Sequence, residues 1–235
     1  MTLPQLAAGS IPPPPEVERS PFVPRHLVDL FMRPRRFFTD QLALGHTPYL
    51  LFVIWVAGVA STIGRFDRGM LEGEIGGRAN LTQQAVSESW LAFWAVAAGL
   101  GAIGGAFYWW LGGWWFTTRL RWSGAVSPER KRAKLVMIYA DFIAAAPTVL
   151  SSALMTLAFP SYAAAFHADA ALSDTLLLIF PFWSVWASYV GVRAVFGVSG
   201  WRSRLWFLIL PCLVYLSALS ALFVALLAAD GSAPA

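Results

Sequence analysis

The chain has 235 residues, of which 57% are hydrophobic and 13% are charged, and 17 basic residues stand against 13 acidic ones. In soluble domains about a quarter of the residues are charged, about twice the share in this chain. Because the chain is so apolar and its excess of basic residues is so small, its composition excludes a disordered chain and a nucleic-acid binder with a basic surface patch. Cys212 is the single cysteine, so neither an internal disulfide nor a cysteine metal cluster can form. The sequence therefore predicts an integral membrane protein.

The amino-terminal region divides into two parts. Residues 1–24 show no basic start followed by an apolar run, so we expect no cleaved signal peptide, and the prolines at 12–15 predict a flexible or extended cytoplasmic arm. Residues 25–47 alternate apolar side chains with arginines, and Pro34 divides them into two short helical pieces. This pattern predicts an amphipathic helix in the membrane interface, with packing against the ends of the spans as the alternative.

Five apolar stretches follow, at residues 48–64, 90–118, 135–159, 175–196 and 205–229. A helix needs about 20 residues to cross the hydrocarbon core, so the first stretch is at the short limit and the second is long enough to tilt. Unpaired backbone groups are not tolerated in lipid, so each stretch must be helical. The sequence predicts an all-α, polytopic bundle of five transmembrane helices over residues 48–229, followed by an outer tail at 230–235.

The basic residues are distributed unevenly among the connections. Only Arg65, Arg68 and Arg78 belong to one side, and the other 14 belong to the opposite side. The positive-inside rule then places the amino terminus in the cytoplasm and the carboxyl terminus outside. Basic residues at the cytoplasmic side attract anionic lipid. We expect such contacts from Arg33, Arg35, Arg36, Arg130, Lys131, Arg132 and Lys134.

Two charged residues fall inside the predicted spans, Asp141 and Arg193. Each would cost roughly 3 kcal/mol at the centre of the bilayer. At 1.5 Å per residue, Asp141 lies about 9 Å and Arg193 about 4.5 Å from the cytoplasmic ends of their spans, a gap that an arginine side chain can bridge. We predict an interhelical ion pair between them. In the alternative, Arg193 extends to lipid phosphates and Asp141 bonds a hydroxyl such as that of Tyr139.

Small residues and prolines mark positions of helix contact. Small residues spaced by four let two backbones approach closely, which predicts packing within the chain, with self-association as the alternative. Three prolines interrupt spans and predict kinks. The small residues are Ala97, Gly101 and Gly105 in the second span, Ser184, Ala187, Ser188 and Gly191 in the fourth, and Ser217, Ala221 and Ala225 in the fifth; the prolines are Pro147, Pro181 and Pro211.

The sequence carries no pattern of catalytic chemistry. Metalloprotease, paired-cysteine and phosphate-loop motifs are absent, and His26, His46 and His167 all lie outside the predicted spans. We therefore predict no enzymatic activity, no cofactor and no nucleic-acid partner.

Several short motifs resemble the Yip family of Rab/Ypt-interacting integral membrane proteins, in its bacterial branch. Arg33-Pro34 followed by Phe37-Phe38 resembles the family's segment before the first span. Residues 134–147, with Tyr139 and Pro147, resemble its third span, and residues 180–200, with Trp183, Trp186, Gly191, Phe196 and Ser199, resemble its fourth.

The resemblance implies a scaffold or partner-binding protein without assigned chemistry. A composition rich in arginine and alanine is typical of a GC-rich bacterium, so we expect the protein in the bacterial inner membrane, bound to anionic lipid and to a membrane or cytoplasmic protein. The alternative is a small transporter or channel that uses Asp141 and Arg193.

Overall fold

The computed structural model describes residues 25–42, 47, 49–76, 85–168, 177–198 and 200–230. These residues are almost entirely helical and contain no strand. The predicted arm at 1–24, His46, Ser199 and most of the carboxyl-terminal tail lie outside the described residues.

Five helices of the described chain are long and apolar enough to cross a membrane. The first span is Leu50–Gly76, the second Trp90–Trp122, the third Arg130–Ala158 and the fourth Ile179–Phe196. The fifth runs without interruption through Trp201–Arg204, a π-helical segment at Leu205–Ile209, and Leu210–Asp230. The predicted all-α fold with five spans is confirmed.

The bounds of the spans differ from the predicted ones, and two of the differences have a clear physical reason. The first helix continues to Gly76, well past the predicted boundary at residue 64. Its last turns are polar and extend beyond the hydrocarbon core, where water can solvate them. Pro181 does not interrupt the fourth span, because it lies in the first turn of Ile179–Phe196, where backbone N–H groups have no partner within the helix.

The first and second spans approach each other through glycines. A Cβ atom on Gly101 would lie 2.7 Å from Val59 Cγ2, and one on Gly105 would lie 2.5 Å from the Ile54 carbonyl oxygen. Gly58 faces both of these glycines. Only glycine fits at such a contact, so the predicted small-residue packing of the second span is confirmed.

The small residues of the fourth and fifth spans behave differently from each other. Gly191 faces Val136 and the ring of Phe38, where a Cβ atom would lie 2.8 and 2.9 Å from their side chains. In contrast, Ser217 and Ala221 of the fifth span are exposed. The predicted packing within the chain is therefore made by the fourth span and not by these residues of the fifth.

The amino-terminal segment packs into the bundle. Helix Arg25–Met32 and helix Pro34–Phe37, which continues as a π-helical turn at Phe38–Leu42, form a short hairpin. The segment is helical as predicted, and several of its apolar side chains pack against the spans, as in the alternative interpretation, while Val28 and Met32 are exposed. Its core residues are at most 2% exposed: Leu30, Phe37, Phe38 and Leu42.

Specific contacts fix this hairpin against the third and fourth spans. The rings of Phe37 and Tyr139 lie 5.1 Å apart at a steep angle, and those of Phe31 and Phe142 lie 6.1 Å apart. Trp183 Nε1 donates a hydrogen bond to the Phe31 carbonyl oxygen at 3.0 Å. The hairpin is therefore an integral part of the helical core.

The hairpin fills a space that the first span leaves open. Phe52, close to the start of the first span, lies 6.1 Å from Phe142 of the third span. Phe142 lies about 18 Å along the third helix from Arg130, at 1.5 Å per residue. The first span thus begins about halfway along the third span. The hairpin covers the third span between that level and the end at Arg130. We call the end of the bundle that carries the hairpin and the 123–129 and 197–200 connections the basic end.

We expect Phe37→Ala to loosen the hairpin, because removing a buried phenylalanine costs about 3 to 5 kcal/mol. Amide hydrogen exchange in residues 25–42, measured by mass spectrometry on the protein in liposomes, should speed up markedly. Arg35→Glu is the control, because Arg35 is exposed. If Arg35→Glu accelerates exchange as much as Phe37→Ala, lipid charge holds the hairpin in place instead of packing.

Candidate functional site

The second to fifth spans surround a cavity of about 190 Å³. This volume corresponds to about six water molecules at their volume in the liquid. Apolar side chains form much of its wall, and its polar lining residues come from all four spans: Tyr108 and Arg119, Asp141, Ser184 and Ser188, and Tyr215. A polar cavity between transmembrane helices is the strongest candidate site in the described chain.

Asp141 of the third span is held by a hydroxyl group. The Tyr108 hydroxyl donates a hydrogen bond to Asp141 Oδ2, and Ser184 lines the same cavity. This arrangement supports the alternative interpretation, in which Asp141 bonds a hydroxyl, but the hydroxyl comes from Tyr108 and not from Tyr139. Tyr108 sits in a run of aromatic residues, which the sequence alone could not separate from aromatic residues that face lipid.

Arg119 of the second span forms the other end of the polar lining. Its Nη2 atom donates a hydrogen bond to the Trp206 carbonyl oxygen, and its guanidinium carbon lies 4.6 Å from the centre of the Phe207 ring. Pro211 lies five residues after Trp206, at the spacing of π-helical hydrogen bonds, and has no N–H to donate. Arg119 thus donates to the Trp206 carbonyl oxygen in place of the N–H group that Pro211 lacks.

The sequence does not identify Arg119 as a site residue, because the predicted second span ends at residue 118 and places Arg119 in the basic connection that follows. The helix in fact continues to Trp122, so Arg119 lies inside the last turn of a membrane-spanning helix. It interacts electrostatically with Asp141 across the cavity. The signal that could have found it is the proline in the fifth span, which requires a donor from a neighbour.

The structure does not bring the predicted partners Asp141 and Arg193 together. The described residues show no ion pair between them; instead, the Arg193 guanidinium lies 5.7 Å from the centre of the Tyr189 ring, with Nη1 at 3.5 Å from the Tyr189 hydroxyl. The reason is helical geometry. Arg193 comes nine residues after Ser184, which at about 100° per residue places it on the opposite side of the fourth span from the cavity.

The predicted lipid-facing basic residues lie at the basic end and differ in their partners. Arg36 pairs with Asp40 at 3.3 Å, and Arg132 pairs with Glu129 at 2.9 Å. Lys134 lies 5.4 Å from the centre of the Trp109 ring. The side chains of Arg33, Arg35, Arg130 and Lys131 are exposed.

A second polar contact lies at the opposite end of the bundle. The Tyr162 hydroxyl donates to Asp67 Oδ1, and the Tyr162 ring stacks on Phe93 at 4.1 Å. Trp90 Nε1 donates to the Phe159 carbonyl oxygen at 2.8 Å. These contacts join the first two spans to the segment that follows the third span, and we assign them a structural role.

The described residues hold no group of three histidine, cysteine, aspartate or glutamate side chains that could bind a metal ion. The chemistry available to the cavity is therefore that of one carboxylate, one guanidinium and several hydroxyl groups. Such a set can bind charged groups and donate or accept hydrogen bonds.

Comparison with known proteins gives one match. The family model described as the Yip1 domain matches residues 28–222, which include the hairpin from its second helical turn, all lining residues of the cavity and most of the fifth span. No curated protein and no solved structure matches the chain.

A double-mutant cycle tests the assignment of partners to Asp141. We expect Tyr108→Phe and Asp141→Asn to show a coupling energy of about 1 kcal/mol, as for hydrogen bonds between membrane helices. The measurement is the free energy of unfolding in mixed micelles. Arg193→Gln combined with Asp141→Asn serves as the control cycle and should be additive within about 0.5 kcal/mol. If the control cycle shows a coupling energy as large as that expected for Tyr108, the result would instead support an ion pair between Asp141 and Arg193.

Proposed function

Because the chain belongs to the Yip1 domain family, we propose that it is a non-catalytic membrane scaffold that binds another membrane-spanning helix through its fifth span. The scaffold acts by holding a protein partner in the plane of the membrane. The observation that carries this proposal is the uncovered small-residue face of the fifth span.

That face differs from the small-residue faces elsewhere in the molecule. The glycines of the second span contact the first span, and Gly191 of the fourth contacts the third span and the hairpin. Ser217 and Ala221, which lie one turn apart, remain exposed, as does Val224 on the same side. Apolar surface alone does not drive association in lipid, whereas small residues allow the close backbone contact that does. This face therefore suits a partner helix.

We further propose that the basic end faces the cytoplasm and contacts anionic lipid in a bacterial inner membrane. The support is the concentration of exposed basic side chains at that end, among them Arg33, Arg35, Arg130 and Lys131. Arg33 and Arg35 line a groove beside Trp186, an aromatic residue of the kind that anchors helices near headgroups.

We expect Ala221→Phe to reduce binding of the partner by about tenfold or more, because a bulky ring prevents close approach of a second backbone. The measurement is crosslinking in the native membrane, followed by purification in mild detergent and quantification of the crosslinked species by mass spectrometry. The mass of the crosslinked product distinguishes a second copy of the chain from another membrane protein.

Ala218→Phe is the matched control. Ala218 is also exposed, lies on the same helix and gains the same ring, but it is turned about 60° away from Ala221. The proposal requires that the wild type forms crosslinks to the partner, that Ala218→Phe still forms them, and that Ala221→Phe loses them. Absence of a discrete product in the wild type, or equal loss in both variants, would contradict it.

A second candidate function, a small transporter or channel, is favoured by the cavity around Asp141. Arg193 does not line this cavity, so only half of the predicted pair supports the candidate. The scaffold proposal predicts that liposomes containing the protein show no proton flux above empty liposomes, measured with an enclosed pH-sensitive dye. A flux that Asp141→Ala abolishes and Arg193→Ala preserves would establish transport instead.

A further inference from the structure

The cavity carries two opposite charges that do not touch. Arg119 and Asp141 both line it and attract each other, yet the ion pairs among the described residues do not include them. Arg119 has five N–H donors, and the hydrogen bond to the Trp206 carbonyl oxygen uses one of them. No other hydrogen bond of its guanidinium to the described residues is present. Unused donors therefore remain at the Arg119 end.

The two charges are separated along the axis of the bundle. Tyr108, which bonds Asp141, and Arg119 belong to the same helix and are eleven residues apart, which corresponds to a rise of about 16 Å. The Arg119 guanidinium lies against the ring of Phe207, which contacts Phe116 on the Tyr108 side of Arg119, so the gap between the charged groups is shorter than this rise. A ligand that carries both charges can bridge the two residues, with its negative group at Arg119 and its positive group at Asp141.

The side of the cavity that faces lipid is bordered by the second and fifth spans. Toward the basic end these helices are in contact, with the rings of Phe116 and Phe207 5.0 Å apart. Farther along, Tyr108 and Tyr215 line the cavity from the two helices, and each is 40% exposed on the surface of the bundle. Because these two rings belong both to the wall of the cavity and to the exposed surface of a membrane-spanning bundle, we infer that a ligand enters the cavity between them from the bilayer.

We propose that the cavity binds the zwitterionic headgroup of a phospholipid whose positive charge is a primary ammonium. The phosphate accepts hydrogen bonds from Arg119, as guanidinium and phosphate groups do elsewhere. The ammonium donates to Asp141 and to the hydroxyls of Ser184 and Ser188, which lie on the same wall. A primary ammonium has three N–H donors for these oxygens, and a trimethylated one has none. The proposal is independent of the partner helix proposed for the fifth span.

The test is a competition for lipid on the full-length wild-type protein. The protein is stripped of lipid in detergent, exposed to equal amounts of phosphatidylethanolamine and its mono-, di- and trimethylated derivatives, and analysed by native mass spectrometry. We expect retention to fall with each methyl group and to reach about a tenfold loss for phosphatidylcholine, the effect expected when a hydrogen bond between charged groups is lost. Equal retention of all four lipids would overturn the proposal.

Variants assign the two ends of the headgroup. Asp141→Asn, which removes the charge of the strongest acceptor, should reduce the preference among the four lipids severalfold, and Arg119→Gln should weaken retention of all of them. Arg193→Gln is the matched control, because it removes an arginine of a neighbouring span that does not line the cavity. A preference that Asp141→Asn leaves unchanged, or equal losses in Arg119→Gln and Arg193→Gln, would also overturn the proposal.

A final arm distinguishes the lipid from a soluble zwitterion. Glycerophosphoethanolamine carries the same headgroup without acyl chains. The proposal predicts that it does not raise the melting temperature of the stripped protein at concentrations at which phosphatidylethanolamine does. If the soluble compound stabilises the protein equally well, the site binds a small solute from water and the assignment to lipid is wrong.

Discussion

Lipid offers no hydrogen bonds, so every polar group within the spans depends on a partner from the chain itself. This constraint explains the position of side chains that otherwise look unrelated. Tyr108 donates to Asp141, Arg119 donates to the Trp206 carbonyl oxygen, and Trp183 donates to the Phe31 carbonyl oxygen. Each of these bonds joins two elements that are distant in sequence. The same bonds that satisfy polar groups therefore also set the arrangement of the helices.

Close backbone contact is the second means of joining the spans. Glycines on the first and second spans remove the side chains that would separate the two helices, and Gly191 makes room for a ring of the hairpin. The fifth span has neither arrangement along most of its length. It packs on the fourth span, where the rings of Phe182 and Tyr215 lie 6.0 Å apart. Near the basic end it also contacts the second span through Arg119, Phe207 and the rings of Trp122 and Trp206, which lie 4.7 Å apart. The molecule thus combines a tightly joined group of helices with one that is accessible from the bilayer.

The number and type of the spans could be predicted because both follow from composition and length. A stretch of about 20 apolar residues has no alternative to a helix in lipid. The partners of polar residues could not be predicted in the same way, because they depend on the rotation of each helix about its axis. Asp141 was identified from its charge, but Arg193 was assigned to it on depth alone, and the fourth span turns Arg193 away.

The hairpin shows another limit of sequence patterns. A segment that alternates apolar residues with arginines is compatible with an interfacial helix and with a piece of the core, and only the position of its neighbours decides between them. Here the first span begins about halfway along the third, which leaves an apolar surface that Phe37 and Phe38 cover. The late start of the first span relative to the third and the buried hairpin are therefore two aspects of one arrangement.

The hairpin also determines the order in which the molecule can be assembled. Residues 25–42 are synthesised before any of the spans, but the surfaces that receive them belong to Val136–Phe142 and to Trp183–Gly191, more than 90 residues later. The complete receiving surface does not exist until the fourth span has been made. The hairpin therefore reaches its final position only after four spans that follow it in the sequence.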